Sequence, residues 1–347
     1  METINNNDDL INYYNFNEDA SCISIGTKLG FKIITCNPYN NHHYRIFNRG
    51  IGIIEMYGTS NIIALTGSEK NTKFPLNKLI IWDDNKLEII REIRFMSKIR
   101  IIKIIKDILL LVNDMKVYAF NFDDLSLIDS FEIFSYKKEY VSFSVNKNIK
   151  IAYCSKDKKE INIKNIDTKK TIKKEIKNSI ETKKDIIIKN QDDDLLYDYI
   201  IFSSRGNMIA GACKGKIFLY NSSNGELIRE IINENLKNGS INCMSFSKND
   251  KFLAISTVED NSGRINIFDI GSKKEKSFFD FFIGSEENCF SYYELKYKEF
   301  LFNFDKDNEN TIFIITLITS NAEFIEINFD KVNGGNCKKI KSKNIFY

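Results

Sequence analysis

The sequence predicts an all-β fold, a single seven-bladed β-propeller of the WD-repeat kind, and three observations carry that expectation. Apolar residues recur in runs of four to eight between turn signals, and no long stretch keeps a helical period. Two segments of the second half, 200–231 and 243–270, can be laid over one another. Each runs strand, polar turn, strand, glycine-containing turn, then a strand ending in Phe or Tyr plus Asn or Asp. Seven units of roughly 40–45 residues would use most of the 347 residues. Ring closure would remove the exposed sheet edges that make a long all-β chain hazardous.

Taken in order, residues 1–11 are a polar, acidic tail and 12–347 are the propeller. Strand runs follow at 22–35 (CISIGTKLGFKIIT), 61–67 (NIIALTG), 78–84 (KLIIWDD), 86–95, 99–122 and 126–134. The Lys-rich segment 155–189 still carries alternating Ile. It suits either solvated outer strands or a basic face towards acidic lipid. Next come the two overlaid units, and between the second of them and the last blade lies 272–286, SKKEKSFFDFFIGSE. Four Phe in five positions beside three Lys suit a buried outer strand. They equally suit a membrane-wedging loop, with Phe278, Phe279, Phe281 and Phe282 entering the headgroup region while Lys273, Lys274 and Lys276 meet phosphates.

Composition supports one large core, with 43% hydrophobic residues, 27 Phe and 16 Tyr. The 2 His are adjacent, His42 and His43, so triads and His-rich metal cages lack ligands. No phosphate-cradling G-x-x-x-x-G-K-[ST] and no G-x-S-x-G occurs, and the acid run Asp192–Asp194 lacks partners at metal-ligand spacing. The expectation is a protein with no catalytic residues, no metal and no cofactor. Fifty Lys and Arg against 47 Asp and Glu give a charge of +3, which is not the footprint of a nucleic-acid binder. Seven scattered Cys without a C-x-x-C pair suggest reduced core residues in a cytosolic protein. The N-terminus is unlike a targeting segment. Uncharged runs such as 312–318 are too short to span a membrane, so any membrane contact is peripheral.

The first third resembles the PROPPINs, the WIPI-type β-propellers of autophagy. FNEDASCISIGTKLGFKI (16–33) is similar to the family's opening strand pair. GIGIIEMYGTSNIIALTGSEKNTKFPLNKLIIWDD (50–84) follows its blade-two pattern, in the version of the smaller WIPI subgroup. The overlaid units fit blades five and six, and 289–330 resembles blade seven. The resemblance implies a monomeric cytoplasmic protein associated peripherally with endomembranes or the preautophagosomal structure. It implies binding of phosphatidylinositol 3-phosphate, or its 3,5-bisphosphate, at two edge pockets of blades five and six flanking a Phe/Leu-Arg-Arg-Gly motif. Adjacent strand residues point to opposite faces, so two neighbouring guanidinium forks could serve two pockets. It further implies a protein partner, the autophagy lipid-transfer protein, at the positions of Asn17 and Asp19. The residues themselves equally suit turn capping there.

The chain departs from the family where the arginines belong. Residues 231–235 are IINEN, without either arginine. Asp193 falls near the family's blade-five His. Lys214 and Gly215 keep the following Lys-Gly step, and Lys216 replaces its Thr. The headgroup residues implied at this edge are Lys214, Lys216, Arg229, Lys237 and Arg264, with Ser256 and Thr257 on blade six. Two lost charge-assisted contacts at roughly 1.5–3 kcal/mol each would weaken lipid binding by orders of magnitude unless these cations compensate. The alternative is a soluble scaffold that binds only proteins. Phe47-Asn48-Arg49-Gly50 looks like a relic of the motif but precedes blade two, where Gly50 and Gly52 are expected as turn residues needing φ freedom.

Overall fold

The computed structural model describes residues 11–17, 19–68, 74–134, 137–144, 149–166, 185–189, 196–237, 239–259, 262–271, 289–297, 300–307, 311–318 and 322–346. The chain divides into two compact units, Met1–Tyr136 and Lys137–Tyr347. The first unit holds three antiparallel meanders. These are β1 (Ile11–Phe16), β2 (Cys22–Thr27), β3 (Gly30–Thr35) and β4 (Asn40–Ile46); β5 (Ile51–Met56), β6 (Ile62–Gly67), β7 (Lys78–Asp83) and β8 (Glu88–Arg94); and β9 (Ile99–Ile105), β10 (Ile108–Asn113), β11 (Lys116–Asn121) and β12 (Leu127–Glu132).

The second unit holds four. The fourth sheet is β13 (Val141–Phe143), β14 (Lys150–Cys154), β15 (Glu160–Asn165) and β16 (Ile186–Lys189). The fifth is β17 (Tyr199–Phe202), β18 (Met208–Cys213), β19 (Lys216–Asn221) and β20 (Leu227–Ile232), and the sixth β21 (Ser240–Phe246), β22 (Phe252–Glu259), β23 (Ser262–Asp269) and β24 (Ser291–Leu295). The seventh is β25 (Phe300–Asp307), β26 (Thr311–Ile318), β27 (Glu323–Asp330) and, after the two-residue β28 (Gly335–Asn336), β29 (Lys338–Asn344). β28 pairs in parallel with β24 of the sixth sheet.

Within each unit neighbouring sheets meet through their first strands, β1 with β5 and β5 with β9, then β13 with β17, β17 with β21 and β21 with β25. Apolar clusters fill every such seam; Ile33 and Ile54 belong to one, Phe218 and Ile163 to another, Phe252 and Phe302 to a third. Burial falls from the middle strands outward: β2 and β10 are buried throughout, while β8 is almost wholly exposed. The alternating Ile of the Lys-rich segment fall on β15 and β16, where Ile161, Ile163 and Ile188 are buried. Residues 167–184 lie outside the described residues. All seven Cys are free thiols, six of them buried and Cys289 half-buried.

The relic-like tetrapeptide is structural. Phe47 sits 5.7 Å from Phe31 and edge-on to Trp82 at 5.0 Å, inside the seam of the first two sheets. Positive φ falls on Asn48, not on Gly50 or Gly52, which corrects the expectation for those glycines. They are needed for close approach instead: a Cβ on Gly50 would stand 2.2 Å from Ser68 Oγ, and one on Gly52 2.3 Å from the Gly67 carbonyl oxygen.

Candidate functional site

The fifth sheet sets up an open cavity of about 680 Å³. β18 and β19 pair up to Cys213 opposite Lys216, which leaves Lys214 and Gly215 as a two-residue turn. Gly215 takes φ +75°, and a Cβ there would stand 2.7 Å from Cγ of Lys237. The glycine thus lets the turn after β20 lie on the hairpin, where Asn233 N donates to Gly215 O at 2.9 Å and Gly215 N to Leu236 O at 3.2 Å. Lys214 and Lys237 thereby reach one cavity, lined also by Lys137, Glu139, Tyr140 and Asp198.

Its electrostatics are mixed. Lys158 Nζ donates to Tyr140 Oη at 2.7 Å and lies 4.5 Å from the ring centre, and that bond, with Asp198 nearby, holds its ammonium above the ordinary lysine range. Burial pushes the Asp198 carboxyl up, and Lys158 and Lys214 pull it down. Glu234 pairs with Lys237 on the rim. The site can therefore attract an anion, but only against three carboxylates.

The other expected headgroup residues lie elsewhere. Lys216 stands 3.4 Å from Glu230, on the sheet face opposite to that of Arg229. Arg229 Nη1 donates to the Asp269 carbonyl at 3.0 Å. Ser256 is fully buried and its hydroxyl donates to Cys243 O at 3.3 Å, while Thr257 pairs in register with Arg264. Arg264 is held three ways: Nε donates to Asn266 Oδ1 at 2.9 Å, the guanidinium lies 4.1 Å from the Tyr292 ring centre, and Glu294 stands 3.7 Å away. Lys214 and Lys237 are thus brought together, and Arg229, Thr257 and Arg264 face the seam of the fifth and sixth sheets beside Ile231 and Ile255. Lys216 and Ser256 point away from that seam.

Within 231–235, the stretch where the arginine pair was expected, Ile232 is half-buried and Asn233 only 3% exposed. Asn233 accepts from Asn235 N at 3.0 Å and caps the short 3₁₀ turn Glu234–Leu236. Asp193 and the loop residues Lys273, Lys274, Lys276, Phe278, Phe279, Phe281 and Phe282 lie outside the described residues.

At the other candidate surface Asn17 is buried and fully engaged: Oδ1 accepts from Cys22 N at 2.9 Å, and Nδ2 donates to Ser21 Oγ and to Gly58 O. Asp19 is exposed and accepts from Ser21 N and Oγ. Ser21, bonded to both, lines a second cavity of about 520 Å³ with Thr35, Thr59, Asn61 and Asp84. The sequence missed both Asp198 and Tyr140 at the first cavity. The only local signal was an acid and an aromatic just ahead of a strand.

Among the described residues no helix is long and apolar enough to cross a membrane, and no three His, Cys, Asp or Glu could hold a metal. No family model matches the chain. Autophagy-related protein 18 of Kluyveromyces lactis is 27% identical over 319 residues, 76% of this chain and 62% of that protein. The match therefore spans less than two thirds of that relative. Kluyveromyces lactis Hsv2 superposes with a TM-score of 0.75 at 17% identity, covering 97% of this chain and 99% of that one. The chain has the seven-bladed β-propeller fold of that Hsv2 structure, and its sequence is similar to autophagy-related protein 18. KlAtg21, solved in complex with the coiled coil of AgAtg16, gives a TM-score of 0.73 at 18% identity over 96% of this chain and 99% of that chain. The seven sheets, six of four strands and the sixth of five, are the seven blades, and the cavity at Lys214 lies on the fifth.

Proposed function

We propose that the chain is a non-catalytic adaptor that associates peripherally with membranes marked by phosphatidylinositol 3-phosphate, or its 3,5-bisphosphate, and recruits autophagy and lipid-transfer machinery. The observation that carries this reading is the fifth-sheet cavity, where Lys137, Lys214 and Lys237 converge on an open space large enough for a phosphorylated inositol ring. Ammonium groups act there as point charges rather than as bidentate forks, so headgroup binding is weaker than an arginine pair would give. The loop residues Lys273, Lys274, Lys276, Phe278, Phe279, Phe281 and Phe282 add a salt-resistant contact in this reading, and the surface around Asn17 and Asp19 takes the protein partner. Vesicle flotation tests it: Lys214→Ala with Lys237→Ala should lose roughly tenfold on vesicles containing phosphatidylinositol 3-phosphate. Flotation that ignores the phosphoinositide, or that the double variant leaves unchanged, would remove the headgroup reading.

A second reading, a soluble scaffold for protein partners only, is favoured by the carboxylate beside three of the five implied cations: Glu230 at Lys216, Glu234 at Lys237 and Glu294 at Arg264. A coiled-coil partner like that of KlAtg21 is the proposal there. Capture of such a coiled coil by a protein that never floats with vesicles would favour it.

A further inference from the structure

The fifth-sheet cavity holds two groups that attraction of an anion does not call for, Asp198 and Tyr140. Asp198 stands just ahead of β17, where its backbone N–H donates to Ala212 O at 2.8 Å and carries the pairing with β18 one residue further. Tyr197 and Tyr199 on either side of it are buried, which fixes the acid at the cavity. Asp198 is itself half-buried, and burial raises the cost of a carboxylate whose hydrogen bonds are unmade. Lys158 and Lys214 act on it through charge, but among the described residues no side chain donates a hydrogen bond to it. Towards a bare phosphate such a group is repulsive.

Tyr140 is its complement. It ends the short turn Lys138–Tyr140, is 9% exposed, and its hydroxyl accepts from Lys158 Nζ at 2.7 Å. An ammonium only donates, so the proton of the tyrosine stays available to a ligand oxygen. With Lys137, Lys214 and Lys237 the cavity therefore offers ammonium and phenol donors to phosphate and, in Asp198, an acceptor for which an ionised phosphate ester has no donor. A ligand that satisfies both kinds of group carries a phosphate and free hydroxyls on one small frame. A phosphorylated polyol ring does so; inorganic phosphate does not.

We infer that Asp198 selects the ring: its carboxylate accepts from the hydroxyls of a phosphorylated polyol while Tyr140 and the lysines hold the phosphate. The inference rests on the proposed headgroup reading of this cavity and adds the residue that separates an inositol headgroup from a plain phosphate.

The test titrates the full chain at neutral pH with myo-inositol 3-phosphate and with cyclohexyl phosphate, which has the same charge and ring size but no hydroxyls, and follows the phosphorus NMR signal of each. Wild type should prefer inositol phosphate roughly tenfold. Asp198→Ala should abolish that preference, binding inositol phosphate about threefold more weakly and cyclohexyl phosphate about threefold more tightly. Asp198→Asn keeps the shape and an acceptor oxygen; it should retain about a threefold preference and guards against an alanine variant that folds poorly. Glu139→Ala removes the same charge from the same cavity and should tighten both ligands alike. Tyr140→Phe should weaken both alike, roughly fivefold, and leave the preference intact. A preference that survives Asp198→Ala overturns the inference, and so does wild type that binds the two ligands equally. If in that case Lys214→Ala with Lys237→Ala loses both ligands, the cavity remains an anion site and only the selection by Asp198 fails. If wild type binds neither ligand, or the double variant leaves binding unchanged, the headgroup reading fails and the inference falls with it.

Discussion

Asp84 of the second sheet and Asn233 of the fifth are both buried polar residues beside a strand end, and they organise their surroundings very differently. Asp84 accepts from Trp82 Nε1 at 3.1 Å and forms a two-pronged pair with Arg45, at 2.7 Å to Nε and 3.1 Å to Nη2, tying the first sheet to the second. Asn233 caps one short turn and leaves the charged groups around it at the surface, where Lys214 and Lys237 border a cavity. The part of the sequence that most resembles the family, 50–84, is mostly spent on packing. Gly52 and Gly67 admit close backbone approach, Trp82 packs on Phe47, and Asp83 accepts from Asn85 N and Lys86 N to hold a turn. Family likeness there reports architecture. The fifth-sheet edge, where likeness fades, holds the proposed headgroup cavity.

The largest effect should break the polar core of the first unit. Glu55, 1% exposed, pairs with Lys103 at 2.6 Å and accepts from Asn15 at 2.9 Å, joining β1, β5 and β9. Lys103→Met leaves a buried carboxylate without its cation and should cost about 3 kcal/mol in urea unfolding at neutral pH. Burial holds the Glu55 carboxyl above its ordinary range, with Lys103 and Asn15 opposing. Its contribution to stability is thus fully present below its unfolded value of about 4.3 and is lost as pH rises through the folded value. Lys103→Met should steepen that loss, read from urea midpoints on either side of it. A flat profile in the variant would mean the pair matters less than its burial implies.

Asp84→Ala should cost about 2–3 kcal/mol, because the Trp82 N–H and the Arg45 fork both lose their acceptor. Trp82 is the only tryptophan, so its fluorescence follows the change directly. At the fifth sheet the expected result has the opposite sense. Ile232→Arg places a guanidinium on the face of Lys216 and Glu230 and should raise flotation on phosphatidylinositol 3-phosphate vesicles roughly tenfold. No gain would mean that more than the missing arginine separates this edge from a headgroup site. The smallest effect is Asn233→Ala, about 1 kcal/mol of stability through the lost cap, seen as a lower urea midpoint.

The fold was largely legible in the chain because strand alternation and blade period are local properties. Segments 200–231 and 243–270, overlaid by eye, fall on β17–β20 and β21–β23. The site was less so. Lys214 and Lys237 could be named, but not Tyr140 or Asp198, which come from other turns and reach the cavity only through packing, nor Lys158, which bonds Tyr140 behind it. Lys216 and Arg264 were plausible by position, but no sequence pattern says that Glu230 and Glu294 would stand beside them.

The sequence alone thus determined the all-β class and the repeat, since composition and period survive without contacts. The tertiary structure decided which cations share a space and which are held by carboxylates. Lys216 and Glu230, and Arg264 and Glu294, stand on neighbouring strands of one sheet, and only strand register and turn geometry fix the few ångströms on which electrostatic attraction depends.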